Sequence, residues 1–495
     1  MRRVPLLAGS SIVLVPLGDD DVVLRPPPPP AHVVDVSASV RDALRFPLSG
    51  PPLESAAPRG GRATVVVEPP ALPLPGAQRD ARRDALAAAI HELERCGIRS
   101  ERQTILVASG LGRRLGRREL EGLLAPPEAR AFRGDVVVHD AEGEDLVAIS
   151  DRMKVGRSLV DTDLVLVVGA AETVLHGGPG TLLAACDAVT VRASAGATSL
   201  LEAASAPAWA VALELEHALA RTVPVFGVSL VLDLPRLTGA FRGFPHDEGE
   251  VRRVTGSWTR AAFTHLPGPL RREILAGQGR RLDATTVFGG PPSVAHAEAL
   301  VRGIELRGTR LDEQVDALVV GAPWIGPHLP RARANPLTAA AVGLGLAARL
   351  YRNEPPVLAG GTLVLVHPLR RVFADEEAPY AAALSAVRAA HDPDELDEAE
   401  RSAATDSRAL ARYRSGHACH PLLPYADWTA CGPALSRLGR VIVAGCRDAH
   451  AARALGFVPS RGVASALEMA HGVAGGKARV GVLLAPPYPP LIVGP

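Results

Sequence analysis

The chain is predicted to be α/β, with two domains that each hold a mostly parallel sheet flanked by helices and a ligand cleft between them. Three observations predict this. Its 495 residues exceed what one ordinary core supports. Short, valine-rich apolar runs recur along it with helical stretches between them, the pattern of parallel strands buried on both faces. The same rhythm begins again after a glycine- and proline-rich stretch, Gly277–Pro292, which places a boundary between domains 1–280 and 281–495.

The elements follow in order. Arg25–Pro30 is a short polyproline connection. Ala63–Val67 (ATVVV) reads as a strand, and Asp80–Cys96 as an amphipathic helix stopped by Gly97. Thr104–Ala108, Asp135–His139 and Leu164–Val168 are strands, with a short helix at Arg117–Leu124. Val225–Leu232 alternates and turns through Asp233–Arg236, which reads as a hairpin. In the second half, Leu318–Val320, Thr362–His367, Arg440–Ala444 and Ala478–Leu484 are strands. Leu337–Tyr351, Tyr380–Ala390 and Glu395–Tyr413 are helices.

Composition bounds the function. The chain is 47% hydrophobic and 22% charged, ordinary for a globular protein. A net charge of +1 gives no electrostatic reason to expect nucleic acid or an anionic membrane. Aromatic residues, at 4%, leave little for base stacking. Five scattered cysteines read as reduced thiols in a cytoplasmic protein. The opening MRRVPLLAGSSIVLVPLG imitates a signal peptide, but Pro5, Gly9, Ser10 and Ser11 break its apolar core. Nearly all the basic residues are arginine. Lys154 and Lys477 are the two lysines, so chemistry that needs an amine has two candidates.

Several residues could carry chemistry. HGGPG at His176–Gly180 opens a helix, where glycines permit close approach and free N–H groups attract a carboxylate or phosphate; a tight strand-to-helix turn is the alternative. Arg113, Arg114, Arg117 and Arg118 follow the strand Thr104–Ala108 and could clamp a carboxylate, or form a solvated helix start. Glu172 and Asp187 flank the glycine loop as pocket residues or as turn and helix charges. His328, beside Trp324, and His367 with Arg370 follow second-half strands and would face the cleft. His417, Cys419, His420 and Cys431 form a cluster of metal-ligating types suited to zinc or nickel. Their spacing matches no strong zinc signature, and packing against Tyr425 and Trp428 is the competing reading.

Segments in order resemble the nickel-dependent lactate racemase family. ALRFPLSGPPL at Ala43–Leu53 is similar to its "PIGSPPL" stretch, and VVVEPPALPLP at Val65–Pro75 to its "VVSDxTRPxP" strand and loop. GIRSERQTILVASGLGRR at Gly97–Arg114 resembles "GIxxxxIxxxxALGxHR", and VVVHD at Val136–Asp140 resembles "NHD". SLVDTDLVLVVG at Ser158–Gly169 with HGGPGTLL at His176–Leu183 resembles "LxxADxxIxxG" followed by "GFSGGAKxxLPG". TGAFRGF at Thr238–Phe244 is similar to "xGxFAGD", and NPLTAAAVGLGLA at Asn335–Ala347 more distantly to "NLYQAxKxL".

The resemblance implies a 2-hydroxy acid oxidised and re-reduced by hydride transfer to a lysine-tethered nickel pincer nucleotide, with two histidines as acid and base. Carried over, the histidine of "ALGxHR" falls on Gly112, with the following arginine kept as Arg113. The aspartate, threonine and arginine of "DxTRP" fall on Pro69, Ala71 and Leu72, and the tether lysine on Gly180. The glutamine and lysine of the second-domain helix fall on Thr338 and Ala341. The resemblance therefore implies a divergent member, a pseudoenzyme without the tethered cofactor. It would bind a small organic anion in the cleft, with Arg113 and His176–Gly180 (through Gly177, Gly178 and Gly180) on one wall and His328 on the other. Two alternatives stand beside it. One is an active isomerase, a 2-hydroxy acid racemase or epimerase with relocated residues such as His176, His328 and Lys154. The other is a non-catalytic scaffold or partner subunit with a filled cleft.

Overall fold

The computed structural model describes residues 2–30, 32–68, 79–120, 122–234, 236–237, 244–276, 280–323, 335–390, 393–474, 478–485 and 488–494. Within them lie two six-stranded sheets with helices on their faces, the α/β class expected from the sequence. The first has the order Ala284–Gly290, Val225–Leu232, Val165–Ala170, Ala63–Val67, Gln103–Val107, Asp135–Val138. All neighbours are parallel except the antiparallel pair made by Ala284–Gly290. Its strands alternate between two apolar layers. Val65, Val67, Ile105 and Val168 meet the helices Val36–Arg45 and Ala81–Arg95. Val66, Leu106 and Val167 meet Pro179–Leu183 and Pro207–Ala220. The Ala81–Arg95 helix starts where the Asp80 side chain accepts from the Arg82 N–H and stops before Gly97, whose φ of +94° suits glycine.

The second sheet is wholly parallel, in the order Val458–Ser460, Arg440–Ala444, Val357–Val366, Val315–Gly321, Val480–Leu483, Val22–Leu24. One face packs on Leu337, Val342, Tyr380 and Leu423. The other is covered by Val4, Leu6, Val15 and Leu17 of a hairpin, Arg2–Ala8 with Ser11–Leu17, and by the helix Val463–Ala474. Each sheet draws on chain from both sides of position 280: Ala284–Gly290 completes the first and Val22–Leu24 the second.

Three elements differ from their expectation. Val225–Leu232 is not half of a hairpin; it lies between Val165–Ala170 and Ala284–Gly290, buried on both faces. Leu337–Tyr351 is not one helix. It runs as an α-turn at Pro336–Ala340, a wider π-segment at Ala341–Leu346 and a 3-10 turn at Ala347–Arg349. A Cβ at Gly343 would lie 2.8 Å from Leu365 Cδ1, so the segment presses closely on the sheet. Glu395–Tyr413 is two helices, Pro393–Ala404 and Ser407–Arg414, because the Asp406 side chain caps the second.

The sheets share a core. Leu111, Ala171, Val174, Ala197 and Leu200 pack in one apolar cluster with Leu337, Val342, Tyr413 and Leu422. Among the described residues, no helix is long and apolar enough to cross a membrane.

Candidate functional site

In the first sheet the chain runs from Ala63–Val67 outward to Asp135–Val138, then returns to the other side of the first strand as Val165–Ala170. The strand order therefore reverses between Ala63–Val67 and Val165–Ala170. In open α/β sheets, ligands bind in the crevice outside the carboxyl ends of such a pair. Glu68 directly follows the first of these strands, and Glu172 lies just beyond the second.

Glu172 is buried and Glu68 half-buried, and the two carboxyl groups lie close enough to interact. Burial, then the nearby Glu172, pushes Glu68 up to about 8, although the Gly177 N–H and Arg82 oppose the rise. Glu172 is itself buried and pairs with Arg82 Nη1 at 3.1 Å. Asp80 takes the other edge of the same guanidinium at 2.6 Å. Burial pushes Asp80 up, but Arg82 outweighs it and holds the carboxyl below its usual range. Burial likewise opposes the charge on Arg82, yet Asp80 and Glu172 keep it more firmly protonated than an ordinary arginine. A second buried guanidinium, Arg307, donates from Nη2 to the Ala171 carbonyl at 3.1 Å and feels Glu172 and Asp233. The result is a carboxyl that stays protonated at neutral pH beside a fixed Arg–carboxylate pair. Such a group can donate a hydrogen bond to an anion or exchange a proton near pH 7.

The turn beneath Glu68 is tight. Gly177 and Gly178 have φ of +98° and +52°. A Cβ on Gly177 would lie 2.3 Å from the Ala170 carbonyl oxygen, and one on Gly178 2.3 Å from His296 Cβ. The glycines thus admit a neighbouring histidine and their own strand. The N–H of Gly177, expected to meet a bound anion, lowers the value of the protein's own Glu68 instead.

The other sequence candidates fall as follows. His176 is half-buried and its Nδ1 lies 2.8 Å from Thr173 Oγ1. Arg113 pairs with Glu119 and donates to the Arg114 carbonyl at 3.2 Å, so its guanidinium is held by its own loop. Arg114 donates to the Val138 carbonyl at 3.1 Å. The side chain of Arg118 lies outside the described set, as do Trp324, His328 and Lys477. Lys154 is exposed on the ribbon Leu146–Ala148 with Lys154–Gly156. Asp187 is the cap of Ala188–Ala193, accepting from the Thr190 N–H at 3.0 Å. His367 is buried and its Nδ1 accepts from the Leu369 N–H at 3.0 Å, while Arg370 is exposed.

The metal-type cluster is not assembled. His417 Nδ1 lies 2.8 Å from Ser415 Oγ, His420 Nε2 lies 3.0 Å from Glu142, and Cys431 Sγ donates to the Asp427 carbonyl at 3.3 Å. Burial pushes the Cys419 and Cys431 thiols up, away from the ligating thiolate. Among the described residues, no three His, Cys, Asp or Glu side chains are gathered as metal ligands.

Residues 9–178, which hold the strand-end carboxyls and the glycine turn, match the lactate racemase N-terminal domain. Over this segment the chain is similar to that family's N-terminal domain. The whole fold agrees. The lactate racemase apoprotein from Thermoanaerobacterium thermosaccharolyticum superposes with a TM-score of 0.62 at 13% identity, over 97% of this chain and 98% of that one. A Thermotoga maritima protein from a structural genomics programme superposes with a TM-score of 0.51 at 11% identity, over 93% of this chain and all 100% of that one. No curated protein sequence matches the chain.

The family resemblance implies a cofactor tethered to lysine, and the residues present do not fit one at the matching position. A Cβ on Gly180 would lie 2.3 Å from the Leu175 carbonyl oxygen, so a lysine has no room there. Sequence reasoning also passed over Glu68. It set the family's aspartate on Pro69, whereas a shift of one residue puts the acid on Glu68, at the end of the strand. An acidic residue directly after a valine run was the available signal.

Proposed function

We propose that this protein is a divergent member of the lactate racemase family. In this reading it binds a small organic acid of the 2-hydroxy acid type at the carboxyl edge of the first sheet, without a lysine-tethered nickel pincer cofactor. One observation carries the reading: Glu68, held protonated to about pH 8, sits at the strand-order reversal beside the Arg82–Glu172 pair. A hydroxy acid offers a carboxylate and a hydroxyl, and a protonated carboxyl can donate to either. The substrate wall moves accordingly from Arg113, which its own loop holds, to Glu68.

Titration calorimetry with lactate and glycolate tests this on the wild type and on Glu68→Gln and Glu68→Ala. Saturable heat that survives in the amide, which still donates, and disappears in the alanine variant supports it. No heat with any hydroxy acid in the wild type sinks it. That second outcome supports the scaffold reading, which the apolar cluster shared by the two sheets favours. Metal content and intact mass, measured after co-production with the enzymes that make the nickel pincer nucleotide, test the cofactor clause. Stoichiometric nickel with a covalent adduct overturns it.

A further inference from the structure

We propose that His296 is a positioning residue that holds the Gly177–Gly178 turn against the Glu68 carboxyl, an inference that rests on the site reading above. His296 lies on the helix Pro292–Arg307 and is fully buried. Its Nε2 is 3.0 Å from the Thr173 carbonyl oxygen, so Nε2 carries the proton and donates. Nδ1 is then a lone pair, and it has no hydrogen-bond partner among the described residues. The ring lies 5.8 Å from that of Trp209, centroid to centroid.

The ring occupies the space that side chains at 177 and 178 would need. A Cβ on Gly177 would approach His296 Cε1 at 2.7 Å and Nδ1 at 2.8 Å. The histidine and the two glycines therefore form one steric unit, tied at one end to Thr173. At its other end, the Gly177 carbonyl accepts from the Gly180 N–H at 3.0 Å and leads into Pro179–Leu183. With the backbone pinned on both sides, the Gly177 N–H keeps its place near Glu68, whose value it lowers. Burial holds His296 down at about 4, so the ring stays neutral through the physiological range and adds no charge of its own. The role calls for a flat, uncharged side chain with one donor, which glutamine imitates and leucine does not.

The test is the carboxyl titration of Glu68, followed by carbon-13 NMR of glutamate-labelled protein and assigned by its loss in Glu68→Gln. Because the Gly177 N–H lowers the Glu68 value, His296→Leu is expected to move the midpoint up by about half a pH unit or more. His296→Gln is expected to restore it. An unchanged midpoint in the leucine variant, or a glutamine variant indistinguishable from it, overturns the proposal. If the leucine variant does not fold, the nitrogen-15 spectrum of the wild-type histidines decides. The Nε2–H tautomer of His296 upholds the anchor, and the Nδ1–H tautomer overturns it. No ligand enters these measurements, so a failure of hydroxy acid binding is distinguishable from a failure here.

Discussion

His420 Nε2 lies 3.0 Å from Glu142 Oε1, joining residues 278 positions apart. The Leu422 N–H donates to Nδ1 of the same ring at 3.1 Å, so Nε2 carries the proton toward the carboxylate. Tyr413 packs edge-on against that ring, and its hydroxyl accepts from the Ala141 N–H and donates to the Gly110 carbonyl. The segment that offered metal-ligating residue types, with packing as the other reading, is thus a fastening between the loops of the first sheet and the helices of the second.

Tyr413→Phe is expected to lower stability by about 1–3 kcal/mol, because it leaves a buried N–H and a buried carbonyl without their partner. Urea denaturation measures this; a change within experimental error removes Tyr413 from the fastening.

Glu172 acts on Glu68 through its charge. Glu172→Gln is expected to bring the Glu68 titration midpoint below about 8, since it removes a negative neighbour that raises it. A midpoint that stays put or rises would mean that burial alone sets the value.

Glu68 also makes stability depend on pH. Its folded value of about 8 exceeds the ordinary 4.5. Between those limits the folded chain keeps a proton that the unfolded chain has released, so its contribution falls as pH rises and is lost by about 8. Glu68→Gln lacks this loss. Its stability relative to wild type should climb from pH 5 to pH 8 and then level off, as read by denaturation at several pH values. A difference independent of pH contradicts the raised value.

Gly180→Lys is expected to destabilise the protein by about 1–3 kcal/mol or more, through overpacking against the Leu175 carbonyl. It should gain no covalent adduct when co-produced with the cofactor-making enzymes. Thermal melts and intact mass read both parts, and a stable, adducted variant would show that the turn accepts a tether.

Most strands of the two sheets were legible because valine-rich runs such as Ala63–Val67 and Arg440–Ala444 are buried on both faces. Ala284–Gly290 was hidden by its glycines, which exist because Ala43 packs against Gly289 with a carbonyl 2.2 Å from where a Cβ would sit. The site was only half legible. The glycine turn announced itself, but the reason for its glycines is His296, distant in sequence and visible only once the Pro292–Arg307 helix is folded beside it. Glu68 takes its raised value from burial and then Glu172, and Arg82 is held by Asp80 and Glu172; no local pattern links residues so far apart.

The pairing of Val22–Leu24 with Val480–Leu483 has a consequence for how the chain is made. The ribosome releases the early strand long before its neighbour exists. At roughly 5–20 residues per second, that interval is on the order of tens of seconds. Meanwhile the apolar face of the hairpin Arg2–Ala8 with Ser11–Leu17 lacks the strands that will cover it. The second sheet can therefore close only after Val480–Leu483 has emerged.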